Sequence, residues 1–181
     1  EFRDLQMSFL KSSVANSEIP TDHAIVALLY KIAEKENIKY ILHGGNLATE
    51  SIMPEAWMHD AKDLKFLNSI HKKFSSKSLK SYPKMSYLKL FWKIFIKRIK
   101  YIGILNYIAY DKDQAMEILE KNLGWKKYEE KHFESIYTKF FQGYLLPKKF
   151  GIDKRKAHYS SLIINGQMKR NEAIEKLKMP T

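Results

Sequence analysis

The stretch "YILHGGNLATES", residues 40 to 51, decides how the rest of the chain is read. Tyr40, Ile41 and Leu42 are strand formers, and they run into His43 and a Gly44-Gly45 pair in a chain with only seven glycines. Glycine at a strand end lets backbone approach a ligand closely, and ligands of open α/β sheets bind outside the carboxyl ends of the strands. The spacing predicts a helix opening near Asn46 or Leu47, whose free N–H groups favour an anion. Asn46, Thr49 and Glu50 then fall on one helical face. Glu50 could hold a magnesium ion, because Mg²⁺ prefers one or two carboxylates plus phosphates. The alternative is a tight strand-to-helix turn with Glu50 as a solvated charge.

Outward from this stretch the chain reads mostly as helix. Residues 2 to 14 put Phe2, Leu5, Phe9 and Leu10 on one face. Pro20 or Thr21 opens a second helix, strongly apolar from Ala24 to Ala33, which stops near Asn37. Residues 38 to 43 come next as a short buried strand, so helix and strand together resemble half of a βαβ unit. Beyond Ser51, Pro54 breaks the pattern, residues 60 to 74 are helical, and 75 to 84 form a polar connection. Residues 85 to 101 read as one long helix rich in aromatics and lysines. Asp111 caps a helix to about Leu123, which Gly124 ends. Further helices are expected over 132 to 142, 153 to 164 and 169 to 178, and no internal repeat is visible. A single apolar strand needs neighbours on both sides. The inventory therefore predicts an α/β class, here the C-terminal, mostly helical portion of a longer protein with one or two short parallel strands.

Composition narrows the function classes. The 181 residues are 45% hydrophobic and 29% charged, enough for a core and unlike a low-complexity tail. There is no cysteine, so disulfides and thiolate metal sites are excluded, which fits a cytoplasmic location. No long uncharged apolar run exists, and no signal-peptide pattern opens the chain. The net charge of +12 points to an anionic partner: nucleic acid, anionic lipid or phosphate-bearing small molecules. Most of the basic residues are lysines and no arginine-rich tract occurs, which argues against nucleic acid.

Three later stretches carry further chemistry. "KHFES" sets Lys131, His132, Glu134 and Ser135 at a loop-to-helix junction, with Lys131, His132 and Glu134 as candidate catalytic groups. Ser135, Thr138 and Gln142 lie close to one face of the next helix, among aromatic residues. That face is either a pocket wall for a sugar or part of an exposed amphipathic helix. "PKKFGIDKRKAH" gathers Lys148, Lys149, Lys154, Arg155, Lys156 and His158 around a capping Asp153. Cations beside a helix start suit a polyphosphate, with Arg155 able to bind phosphate through both arms of its fork; the alternative is a solvated basic loop. His23 and His132 are candidates for acid–base work, against a structural role. No H-x-x-x-H pair occurs, so no protein-built zinc site is expected. Lys89, Lys93, Lys97 and Lys100 form a stripe on an otherwise apolar helix. Such a helix lies on a membrane surface or is covered by a partner or by the rest of a larger protein, and the second reading is preferred.

"GGNLATE" resembles the Gly-Thr-Asp-His-Ala-Ala-Glu stretch of ammonia-dependent NAD synthetases, members of the PP-loop ATP pyrophosphatase superfamily, with Gly45 in place of the threonine. "EFRDLQ", "IPTDHAI", "ATESIMPEAW", "LNYIAYDKDQA", "KHFESIYTKFFQGYLLPKKFGIDKRKAHYSSLI" and "GQMKRNEA" resemble the N-acetyl sugar amidotransferases of bacterial O-antigen and flagellin glycan biosynthesis. The resemblance implies a PP-loop fold in which ATP lies against Gly44, Gly45, Asn46 and Thr49, with Mg²⁺ at Glu50. It implies that ATP activates an acetamido group on a nucleotide-linked N-acetyl sugar and that ammonia converts it to an acetamidino group. Ser135, Thr138, Gln142, Lys149, Lys154, Arg155 and His158 would bind substrate or phosphate. Ammonia would come from glutaminase and cyclase-like subunits; a homo-oligomer and contact with a membrane surface are left open. Residues 1 to 58 would complete the nucleotide-binding domain, and 59 to 181 would form a helical substrate- and partner-binding portion. The Ser-Gly-Gly-x-Asp-Ser pyrophosphate loop and the N-terminal cysteine pairs of the family are absent from these residues. The chain is therefore expected to be inactive alone. The rival reading is a basic, non-catalytic module for nucleic acid or anionic membrane.

Overall fold

A computed structural model describes residues 1–75, 77–126 and 135–179. The chain divides into two compact units that interleave in sequence: Glu1–His43 with Glu55–Ile102, and Gly44–Pro54 with Gly103–Thr181. Neither unit coincides with the segments 1–58 and 59–181.

The first unit begins with α1 (Phe2–Ser12) and α2 (Ile19–Lys35). It continues through β1 (Tyr40–His43) and α4 (Leu64–Phe74), with the short α3 (Leu47–Glu50) falling in the other unit. Leu5 and Phe9, one turn apart on α1, meet Ile19 of α2 and Leu67 and Ile70 of α4 in a buried cluster. The Asp63 carboxylate starts α4 by accepting from the amides of Lys65 and Phe66. The polar connection 75–84 contributes to this core, since Leu79 and Tyr82 are buried and the Tyr82 hydroxyl donates to the Pro20 carbonyl at 2.6 Å. Glu1 accepts from the amides of Ser81 and Tyr82, which ties the same connection down at its surface. A second cluster joins Ala27, Tyr30 and Ala33 of α2 to Met85 and Ile99.

His23 sits between these clusters, wholly buried. One ring nitrogen, Nδ1, lies 2.7 Å from the Ala61 carbonyl, and the other, Nε2, accepts from the Met85 amide at 3.1 Å. Only the neutral ring with its proton on Nδ1 makes both bonds. Burial pushes its pKa down, against the pull of the Ala61 carbonyl, Asp60 and Asp63. His23 is thus a structural histidine and not an acid–base group.

Residues 85 to 101 depart from the single helix expected. A helix, α5 (Tyr87–Phe91), widens into π turns over Trp92–Ile96, and Arg98 then takes the left-handed conformation at φ 55. The Ile99 amide reaches back to the Lys93 carbonyl and plugs Ile99 into the core, which ends the helix by a Schellman-type turn. The chain then enters a second strand, β2 (Lys100–Gly103), parallel to β1. The pair begins where the Lys100 amide donates to the Lys39 carbonyl at 2.8 Å. The apolar run of β1 predicts a buried strand with a neighbour on each side. Among the described residues β1 has one neighbour, and Tyr40 and Leu42 are exposed on one face while Ile41 and His43 turn inward. The His43 ring stacks on Tyr101 at 4.2 Å.

The second unit holds the Gly44–Pro54 strap and α6 (Lys112–Leu123). It also holds α7 (Ile136–Phe140), which widens into π turns over Phe141–Phe150, then α8 (Lys154–Ile164) and α9 (Arg170–Lys178). As expected, Asp111 caps α6 by accepting from the Gln114 amide, and Gly124 at φ 63 ends it. Tyr159 and Leu162 of α8 pack on Ala173 of α9. The chain is mostly helical with a small parallel sheet, compatible with an α/β class. No helix among the described residues is long and apolar enough to cross a membrane.

Candidate functional site

The strap Gly44–Pro54 lies along α8, and backbone groups of the strap make the contact. His158 Nδ1 faces the Thr49 carbonyl at 3.0 Å, although 109 residues separate them. The Ile52 amide donates to Ser161 Oγ at 3.1 Å, and Ser161 is wholly buried. Asn106 accepts from the Leu47 amide at 2.8 Å.

Asn46 and Thr49 are buried by their own local chemistry. Asn46 Oδ1 accepts from both the amide and the hydroxyl of Thr49, at 2.9 and 3.1 Å. This cap starts α3, which lasts only four residues. The Leu47 and Thr49 amides of the expected anion-binding helix start are therefore already taken, by Asn106 and Asn46. A Cβ at Gly44 would meet nothing within 4 Å, so no neighbour in the chain requires glycine there. Gly44 is the first residue of the second unit, and its lack of a side chain leaves the strap backbone open to approach.

Around the strap the fold gathers groups far apart in sequence. Lys112 Nζ lies 3.3 Å from His158 Nε2. Since Nδ1 faces a carbonyl, it carries the ring proton, and Nε2 is left to accept from the lysine. His158 in this arrangement links Lys112 to the strap. The Lys112 amide donates to Gln167, whose side-chain amide donates in turn to the Tyr110 carbonyl. Burial, then the charges of Glu50 and Asp111, push the Tyr110 phenol pKa up, so it stays protonated. Glu50 is exposed beside it. Among the described residues no three carboxylate or imidazole side chains converge as a metal-binding group. Glu50 thus offers one carboxylate, a donor set that fits Mg²⁺ held mainly by a polyphosphate and not one built by the chain.

The remaining candidates are scattered over the same unit. Ser135 caps α7 by accepting from the Thr138 amide at 3.2 Å, and Gln142 lies where that helix has widened. The Arg155 fork is engaged by Asp153 through Nε and Nη2, and its Nη1 donates to the Met179 carbonyl at 3.0 Å. With its side chain 13% exposed, Arg155 links the start of α8 to the end of α9. Lys149 is exposed over the Phe150 ring, and Lys154 is half-buried at the first turn of α8. Lys131, His132 and Glu134 lie outside the described residues.

Tyr110, Lys112, Asn106 and Gln167 join the site without having been singled out by sequence. They fall within "LNYIAYDKDQA" and "GQMKRNEA", blocks that carry the resemblance, yet nothing in their local spacing marks any one of them.

No curated protein and no solved structure matches the chain. Residues 134–181, which hold the widened helix, α8 and α9, match the family described as LPS biosynthesis protein WbpG-like, C-terminal domain, and over that segment the chain is similar to proteins of lipopolysaccharide biosynthesis.

Proposed function

We propose that these residues are the C-terminal part of an ATP-dependent, AMP-forming amidotransferase of PP-loop type. Its substrate is a nucleotide-linked N-acetyl sugar of bacterial lipopolysaccharide O-antigen assembly, and it acts in the cytoplasm. One observation carries the reading. The strap that resembles the ATP-binding stretch of PP-loop enzymes is bonded directly to α8, the helix inside the segment that matches the lipopolysaccharide family. Two resemblances read separately from sequence thus meet in one unit.

In this account ATP supplies activation of the acetamido oxygen as a leaving group, and ammonia from glutaminase and cyclase-like partners takes its place. The chain's own residues position and neutralise. Gly44 and Gly45 leave the strap backbone open to the nucleotide. Glu50 would hold Mg²⁺ through its carboxylate, and the ion would supply neutralising charge to the nucleotide. Lys112, held by His158, places a cation beside the strap, and the long stems of Lys149 and Lys154 let their ammonium groups swing toward phosphate oxygens. Arg155 serves phosphate only by releasing Asp153, so its first role is to hold α8 and α9 together. Ser135, Thr138 and Gln142 are assigned to the sugar, and Lys131, His132 and Glu134 to proton transfer.

The test joins this chain to a polypeptide carrying the Ser-Gly-Gly-x-Asp-Ser pyrophosphate loop of the proposed class. AMP and pyrophosphate should appear only when ATP, Mg²⁺, ammonia and the nucleotide-linked N-acetyl sugar are all present. AMP release indifferent to sugar and ammonia, or release of ADP instead, overturns the assignment.

A further inference from the structure

The lysine stripe of residues 89 to 100 does not face solvent as a stripe. Lys93 is buried, and its ammonium is ion-paired with Glu34 of α2; Lys97 reaches the same carboxylate at 3.7 Å. Anchoring Lys93 inward turns the other side of the helix out. Leu88, Phe91, Trp92, Phe95 and Ile96 recur at helical spacing, and each is more than half exposed, with Leu88 at 82%. Five large apolar side chains between Leu88 and Ile96 form a contiguous patch of the kind that marks a binding surface.

Charge decides what the patch fits. From Lys84 through Lys100, both included, the chain has six basic residues and no acidic one. Lys89, Arg98 and Lys100 are exposed on this segment, and the left-handed backbone at Arg98 turns the chain sharply at its end. Protein interfaces are depleted in lysine at their cores, because an uncompensated ammonium loses its water there. A lipid surface makes the opposite demand. Apolar and aromatic side chains enter the headgroup boundary while lysine and arginine heads stay among anionic phosphates, with their stems alongside the hydrocarbon. Trp92 belongs at that boundary, its ring apolar and its N–H able to donate to headgroups or water.

We propose that the exposed face of α5 and its widened turn is, in place of the covered helix preferred from sequence, an interfacial binding surface for anionic membranes. Phe91, Trp92 and Phe95 insert, and Lys89, Arg98 and Lys100 contact phosphate headgroups. The helix lies in the plane of the surface and does not span it. This rests on the first unit alone and is independent of the amidotransfer reading.

The test mixes the full chain with vesicles of phosphatidylcholine, and of phosphatidylcholine with phosphatidylglycerol, and reads co-sedimentation and tryptophan emission. Binding is expected only to the vesicles containing phosphatidylglycerol, weakening as salt is raised. Trp92→Ser with Phe95→Ser should lower the partition coefficient at least about tenfold. Because both side chains are exposed, the variant should keep its circular dichroism and melting temperature. Lys89→Glu with Lys100→Glu should weaken binding without touching the apolar face. No binding, equal binding to both vesicle types, or binding unchanged in the serine variant overturns the proposal. So does self-association that the serine variant abolishes in the absence of any vesicle binding, since the face would then belong to a second copy of the chain.

Discussion

Replacing Ser161 with alanine tests the bond between the strap and α8. Ser161 Oγ is wholly buried; it accepts from the Ile52 amide at 3.1 Å and donates to the Ala157 carbonyl at 3.2 Å. The bond to Ala157 is expendable, because that carbonyl keeps its place in the helix ladder. The bond to Ile52 is not, because its amide has no helix to return to. An amide left without a partner costs about 1–3 kcal/mol, and about 1.5 kcal/mol here because Ile52 is only half-buried. Alanine returns roughly 0.5 kcal/mol through its higher helix propensity. The net loss should be ~1 kcal/mol, or about 4–8 °C in melting temperature for a unit of this size. Native-state hydrogen exchange is the sharper assay: the Ile52 amide should exchange roughly fivefold faster, while amides in α1 and α4 do not change. Ser160→Ala is the control. Ser160 makes the same kind of back-bond to its own helix, to the Lys156 carbonyl, and no bond to the strap. If Ser161→Ala exchanges at Ile52 no faster than Ser160→Ala, the strap is not held by α8 and the site does not exist as described.

Other outcomes are equally specific. His23 is neutral in the fold, with its pKa pushed below the ordinary value by burial, so the unfolded chain binds more protons as pH falls. Stability should hold above about pH 6.5 and decline below it toward the depressed folded value; a melting temperature flat between about pH 7.5 and 5.5 would contradict the two hydrogen bonds assigned to the ring. The Asp4, Glu34 and Asp63 carboxylates, lowered by Ser75, Lys93 and the Phe66 amide respectively, act in a separate and more acidic window. Gly124→Ala places a side chain at φ 63 with open space around it, so only backbone strain is felt, about 1–2 kcal/mol in an unfolding titration. Glu50→Gln, at an exposed position, should leave stability within about 0.5 kcal/mol. In the amidotransferase proposed above it should slow AMP release roughly 10²-fold, about 2.7 kcal/mol of transition-state stabilisation. Wild-type turnover in that variant would make Glu50 an ordinary surface charge.

Local rules reached the helices and stopped at distance. Asp111 and Gly124 bracket α6 because a cap and a left-handed stop are decided within four residues, and Leu5 with Phe9 announces a buried face by spacing alone. β2 is invisible in the sequence because Ile99 and Ile102 continue the apolar helical period of Trp92, Phe95 and Ile96, and only the left-handed turn at Arg98 breaks it. The helix start at Asn46 or Leu47 is legible, but the spacing assigns both Asn46 and Thr49 to a ligand, whereas Asn46 Oδ1 is taken up by the amide and hydroxyl of Thr49. The Arg155 fork illustrates the same limit: its pairing with Asp153 is two residues away, but the Met179 carbonyl that completes it lies across the unit. The core of the site, His158 against Thr49 and Lys112 against His158, joins residues whose separation no local pattern encodes.

The proposed reaction is tested most directly by tracing the acetamido oxygen. A nucleotide-linked N-acetyl sugar labelled with oxygen-18 in its acetamido carbonyl is incubated with ATP, Mg²⁺, ammonia and a polypeptide joining this chain to a pyrophosphate loop of the proposed class. If ATP activates that oxygen and ammonia displaces it, the carbon–oxygen bond breaks and the label leaves in the phosphate of AMP. The sugar then carries nitrogen in its place and no label. Label retained on the sugar, or AMP whose new oxygen comes from water, contradicts the account.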